Sequence, residues 1–178
     1  MFMEQGLLPL LKMFLKGPTN IVYESLYVLS NIAAGTYQHI LTLFESGIPD
    51  DLFNLLDSSP DNCKREIMYV LLNLVKGGRV EYSLHFIPCL PILIRQLEVP
   101  RCIDVVYELL AAGDALSPNL IRESFKTHLE AFYAEYTKAR QARDAQVFDK
   151  IWETWFPEEL KTIVEYERVL GSFQNVQI

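Results

Sequence analysis

Apolar residues recur along the chain at spacings of three and four, and Gly or Pro breaks the pattern at short intervals, which predicts a series of helices rather than strands. "GLLPLLKMFLKG" predicts a helix between Gly6 and Gly17, and "TNIVYESLYVLSNIAAG" a longer one from Thr19 to Gly35. A short piece, "TYQHILTLFESG" (Thr36 to Gly47), a medium one, "IPDDLFNLLDSS" (Ile48 to Ser59), and a long one, "DNCKREIMYVLLNLVKGG" (Asp61 to Gly78), come next. The order then returns as "VEYSLHFI" (Val80 to Ile87), "PCLPILIRQLEV" (Pro88 to Val99) and "RCIDVVYELLAAG" (Arg101 to Gly113).

Short, medium, long is therefore a repeating unit. The long helices align on Gly35, Gly77 and Gly113, each expected as a left-handed residue closing its helix, with separations of 42 and 36 residues. Periods of this size belong to helical solenoids, where no unit buries its apolar face alone and stacking makes one continuous core. An all-α solenoid is expected. The first repeat starts with its medium helix and lacks the short one, so the chain is expected to be a fragment, a truncated gene product, or a protein whose first helices a partner covers.

Beyond Ser117 the pattern changes. "SPNLIRESFKTHLEAFYAEYTKARQA" carries a helical stripe of Leu120, Ile121, Phe125, Leu129, Phe132, Tyr133 and Tyr136. "DAQVFDKIWETWF" places Val147, Ile151, Trp152 and Trp155 at helical spacing before Pro157. "EELKTIVEYERVL" reads as a last helix, followed by a polar tail expected to fray. The expected division is repeats over 1–116, a capping repeat over 117–157, and a terminal helix and tail over 158–178.

Half of the 178 residues are apolar, enough for one extended or globular domain. No apolar stretch reaches the roughly 18 to 20 residues that a bilayer requires, and the N-terminus lacks the basic start and cleavage site of a signal peptide. Cys63, Cys89 and Cys102 form no CxxC pair, so neither a disulfide framework nor a zinc site is expected, and a reducing compartment, cytosol or nucleus, fits. The balance of 23 acidic against 16 basic side chains argues against nucleic acid and leaves cationic partners electrostatically open. His39, His85 and His128 lie on separate helices, and no Gly-rich phosphate loop or metal-ligand spacing occurs. No catalytic residue, metal or cofactor is expected, and the Asp50-Asp51 pair is read as charging a helix N-terminus.

The candidate chemistry lies in a repeated triplet. "ESLYVLSN" and "EIMYVLLN" both read Glu, two residues, Tyr, three residues, Asn, giving Glu24, Tyr27 and Asn31, then Glu66, Tyr69 and Asn73. Positions i, i+3 and i+7 fall within a sector about 60° wide on a helix, so each triplet shares one face and stacking aligns the faces into a ladder. An Asn amide can bond both the N–H and the C=O of an extended peptide, and Tyr rings hold Lys or Arg stems at about 0.5 to 2 kcal/mol each. The glutamates set the sign. A lone Asn or Tyr in an apolar helix is commonly structural, and an Asn ladder can be so too; two copies at one repeat spacing favour a binding face. Aligned on Gly113, the third repeat has Val105 and Leu109 at the Tyr and Asn positions, which predicts that the ladder ends after two rungs on an apolar surface.

At these residues the chain resembles armadillo-repeat proteins and, more narrowly, the importin-α family of nuclear-import adaptors. The "SN-x-x-AG" of "LSNIAAG", the run through "ESG" and "IPDDLFNLL", "CKREIMYVLLNLVKGG" and "VFDKIWETWFPEE" are similar to that family's C-terminal repeats, over about residues 6 to 158. The resemblance implies a right-handed armadillo superhelix of three to four repeats with C-terminal capping helices, and a peptide-binding site at Glu24, Tyr27, Asn31, Glu66, Tyr69 and Asn73. Tyr27 and Tyr69 stand where the family has Trp, a stronger cation–π partner. The implied partners are basic cargo peptides or proteins bearing nuclear-localisation signals, with an importin-β or an export receptor engaging other segments or the C-terminal helices. The implied compartments are cytoplasm and nucleus. No basic importin-β-binding segment occurs in this sequence. The alternative is an armadillo scaffold for protein assembly without peptide-groove activity.

Overall fold

The computed structural model describes residues 6–116, 123, 125–129, 131–134, 145–162 and 164–165. The chain forms two compact units, Met1–Glu135 and Tyr136–Ile178. All regular structure among the described residues is helical.

The first unit holds α1 (Leu8–Phe14), α2 (Thr19–Ala33), α3 (Tyr37–Glu45), α4 (Ile48–Leu56), α5 (Asp61–Gly77), α6 (Val80–Ser83), α7 (Leu90–Arg95) and α8 (Cys102–Leu116). Local chemistry sets the boundaries. Thr36 and His39 form a capping box at the start of α3, the Thr36 hydroxyl accepting from the His39 N–H and the His39 ring from the Thr36 N–H. Gly47, at φ 72°, makes the left-handed turn into α4, whose first turn carries Pro49, Asp50 and Asp51, the two acids facing the positive end of the helix dipole. "VEYSLHFI" and "PCLPILIRQLEV" are shorter as helices than their periodicity suggests. Only Val80–Ser83 and Leu90–Arg95 are α-helical, and a 3-10 segment, Leu84–Cys89, joins them, because Pro88 and Pro91 offer no N–H to continue the ladder.

The long helices α2, α5 and α8 stack in order, and the shorter helices of each repeat pack against them. Their shared seam is fully closed: Leu26, Leu29, Leu71 and Val106 are at most marginally accessible. Burial of each such side chain stabilises the stack by about 1.5–3 kcal/mol. Polar ties link successive repeats at the surface. Lys12 donates to the Ser46 carbonyl at 2.6 Å and pairs with Asp51 at 3.2 Å, and Asp57 accepts from Arg95 at 2.9 Å and from Gln96 at 3.1 Å. The Arg95 guanidinium holds the Asp57 carboxyl below its usual range.

The three aligned glycines do not close their helices in the left-handed conformation. Among the described residues positive φ occurs only at Gly47 and Arg101. Gly77 instead permits a close approach, since a Cβ there would overlap Cδ1 of the buried Ile40 on α3. Gly113 lies inside α8 and is buried.

Phe125, Leu129, Phe132 and Tyr133 are buried as their stripe predicts, and the rings of Phe125 and Phe132 meet edge-on at 4.9 Å. Leu120, Ile121 and Tyr136 of the same stripe lie outside the described residues. In the second unit, α9 (Ala145–Trp155) buries Phe148, Ile151, Trp152 and Trp155, whereas Val147 is only half-buried. Residues 157–162 are helical after Pro157; most of the expected last helix and its tail fall outside the described residues.

Candidate functional site

The two triplets lie where the sequence pattern puts them, on the solvent side of α2 and α5. Glu24 and Asn31 are exposed, Glu66 and Asn73 half-buried, and Tyr27 and Tyr69 are 55% and 38% accessible. Helical periodicity explains the placement: Ser25, Leu26, Leu29 and Ala33 fill the inner face of α2, and Ile67, Met68, Leu71 and Val75 that of α5, leaving the triplets on the opposite side.

The two asparagines differ in what they hold. Asn31 Nδ2 donates to the Tyr27 carbonyl of its own helix at 2.8 Å. Asn73 Nδ2 reaches across the stack to the Ser30 carbonyl on α2 at 3.3 Å. Asn73 is therefore in part a structural tie between repeats. Each primary amide carries two N–H donors and a carbonyl, so one bond per amide does not exhaust it.

The third repeat corrects the register expected from the terminal glycines. Val105 and Leu109 are 1% accessible and belong to the core, so they are not the surface of the stack. The buried set Val105, Val106, Leu109 and Gly113 corresponds to Ile67, Met68, Leu71 and Val75, a shift of 38 residues where the glycine alignment takes 36. Moving the register by two residues turns the surface of α8 through about 200°. The corresponding triplet is Asp104, Tyr107 and Ala111, all half-buried on the outer side. The acid and the tyrosine thus recur a third time, and only the amide is missing.

A second feature was hidden in the sequence. Arg101, immediately before α8, has φ 75°, the one positive value at a non-glycine residue among the described residues. Its guanidinium lies over the Tyr69 ring, 5.6 Å from the centroid, and donates to Asp104 Oδ2 at 3.4 Å. Tyr69 and then Asp104 raise the Arg101 pKa further above its ordinary value. Nothing in "VPRCID" marks this contact; the triplet Asp-x-x-Tyr-x-x-x-Ala was legible, had the buried quartets been aligned in place of the glycines.

Other surfaces offer less. Between α3 and the α6 region, Phe44 and Tyr82 stack at 4.8 Å beneath Glu45 and Glu81 in an open hollow of about 680 Å³. Asp50 pairs with His85 at 2.9 Å on its edge. The thiols are free, and burial pushes Cys89 up to about 11 and Cys102, which donates to the Leu93 carbonyl at 3.2 Å, higher still. No cluster of His, Cys, Asp or Glu suited to a metal occurs among the described residues, and none of their helices is long and apolar enough to cross a membrane.

Solved structures share this arrangement. A designed armadillo-repeat protein, solved in complex with the peptide (KR)4, superposes with a TM-score of 0.60 at 23% identity, over 79% of this chain and 59% of its own. The fold is an armadillo-like solenoid. Two engineered proteins are similar at TM-scores of 0.63 and 0.58, each at 20% identity, over 80% and 79% of this chain and 35% and 57% of theirs. The chain thus spans less than two thirds of each of these structures, and at such identities the likeness is one of fold. No protein-family profile and no curated protein sequence matches it. In armadillo terms α3, α4 and α5 are the three helices of one repeat, and the ladder runs along successive third helices.

Proposed function

We propose that this armadillo-like solenoid is a protein-binding module that takes an extended basic peptide along the acid, tyrosine and asparagine ladder of α2 and α5. The observation that carries the proposal is the placement of Glu24, Tyr27 and Asn31 on the solvent side of α2 and of Glu66, Tyr69 and Asn73 on that of α5, with Asn73 reaching the Ser30 carbonyl between them. Carboxylates attract the cations, rings receive their stems, and the amides bond a backbone of any sequence. The designed armadillo protein bound to (KR)4 supports this use of the fold. In its narrower form the proposal makes the ligand a nuclear-localisation peptide and the chain part of an importin-α-like adaptor moving between cytoplasm and nucleus.

A second reading, an armadillo scaffold without peptide-groove activity, is favoured by the bonds Asn31 and Asn73 already make to the Tyr27 and Ser30 carbonyls. Titration with a labelled (Lys-Arg)4 octapeptide separates the two. Groove binding predicts a salt-sensitive affinity, at best about micromolar for so few rungs, which Asn31→Ala together with Tyr27→Ala weakens about tenfold or more. Affinity unchanged in that double variant leaves the scaffold reading standing and removes the peptide groove.

A further inference from the structure

The ladder is chemically repetitive, but its rungs are not equally open. Tyr27 is 55% accessible, with no cation over its ring among the described residues, and Glu24 beside it is exposed. Tyr69 is 38% accessible, and the Arg101 guanidinium already lies over its ring, 5.6 Å from the centroid, while also engaging Asp104, the acid of the next rung. One side chain thus takes up both an aromatic slot and a carboxylate of the ladder. It does so from a backbone position with φ 75°, a conformation that L side chains rarely adopt and that concentrates at binding sites and switches. The contact also shows that the face of the Tyr69 ring accepts a guanidinium.

We propose that Arg101 is the specificity-determining residue of this face: it occupies the Tyr69 rung in cis, so that an extended basic peptide anchors its Lys or Arg at the Tyr27 and Glu24 rung and finds no cation slot at Tyr69. The inference rests on the peptide-binding reading above and sharpens it. The favoured ligand has one anchoring basic side chain where an unoccupied ladder would select a run of them. A second external cation at Tyr69 must displace Arg101 and separate it from Asp104, or sit against its charge.

A thermodynamic cycle tests this, with the same (Lys-Arg)4 octapeptide as probe. Arg101→Gly removes the occupant and suits the positive φ; Arg101→Gln keeps most of the stem and removes the charge. Both are expected to bind the octapeptide tighter, by about twofold to thirtyfold, the worth of one cation–π slot. Tyr69→Ala is expected to abolish the gain in the Arg101→Gly background, and so to cost more affinity there than in the parent chain. Lys76→Ala makes the same change of net charge on α5 and is expected to give only a small, salt-sensitive gain. Circular dichroism melts check that each variant is folded. Equal affinity of the parent and both Arg101 variants, or weaker binding by them, overturns the inference while the Tyr27 and Asn31 result still decides the underlying reading. An additive cycle, in which Tyr69→Ala has one effect in both backgrounds, overturns it as well. An octapeptide bound by no chain overturns both.

Discussion

The Tyr27 rung on α2 and the Tyr69 rung on α5 carry the same three residue types at the same spacing, yet they present different chemistry. At Tyr27 the ring is exposed and the neighbouring amide bonds within its own helix. At Tyr69 a guanidinium roofs the ring and the amide ties α5 to α2. The triplets do not account for the difference; the neighbouring repeats do, because Arg101 and Asp104 come from the approach to α8 and its first turn, and the Ser30 carbonyl comes from α2. Identical triplets in a solenoid are therefore equivalent in position and unequal in their surroundings.

The largest expected effect tests the register that makes α8 a third rung. Leu109→Asn places an amide in the closed core and is expected to destabilise by about 3–5 kcal/mol, a fall in melting temperature of roughly 2–4 °C per kcal/mol for a chain of this size. Ala111→Asn, two residues away on the outer side, is expected to cost less than about 1 kcal/mol. Equal losses at the two positions would mean that α8 is turned differently.

A smaller effect separates the asparagines. Asn73→Ala breaks a bond between repeats and is expected to cost about 1 kcal/mol in urea unfolding, whereas Asn31→Ala, which loses only a bond within its own turn and gains helix propensity, should lie near zero. A reversed order would assign the structural tie to the wrong rung. The smallest effect concerns the rings. Tyr69→Ala is expected to cost about 0.5–1 kcal/mol through the lost Arg101 contact, and Tyr27→Ala to stay within about 0.5 kcal/mol. Losses of equal size would show that Arg101 does not lean on Tyr69 in solution.

Much of the solenoid was legible because helical periodicity and burial are the same physical fact read twice. The apolar spacing in "ESLYVLSN" and "EIMYVLLN" places the inner faces of α2 and α5, and the six ladder residues then fall on the outer side. Alignment of the third repeat on its glycine fails because glycine has more than one physical role in this fold. Gly113 is a small core residue inside α8, and Gly77 admits Ile40, so neither marks a left-handed helix end. The 3-10 segment before α7 was blurred for a related reason: Pro88 and Pro91 break hydrogen bonding without breaking the apolar pattern.

By itself the sequence determined the helices, the repeating order and the face on which Glu24, Tyr27 and Asn31 sit, since these depend on contacts a few residues apart and on the 3.6-residue period. Only the tertiary structure decided that Asp104 and Tyr107 continue that face and that Arg101 lies over Tyr69, 32 positions earlier in the chain. Those facts depend on how one repeat is rotated against the next, which is set by the packing of α5 on α8: the spacing of Asp104, Tyr107 and Ala111 is written in the chain, but which of its alignments holds is not, and the Arg101 contact leaves no local trace.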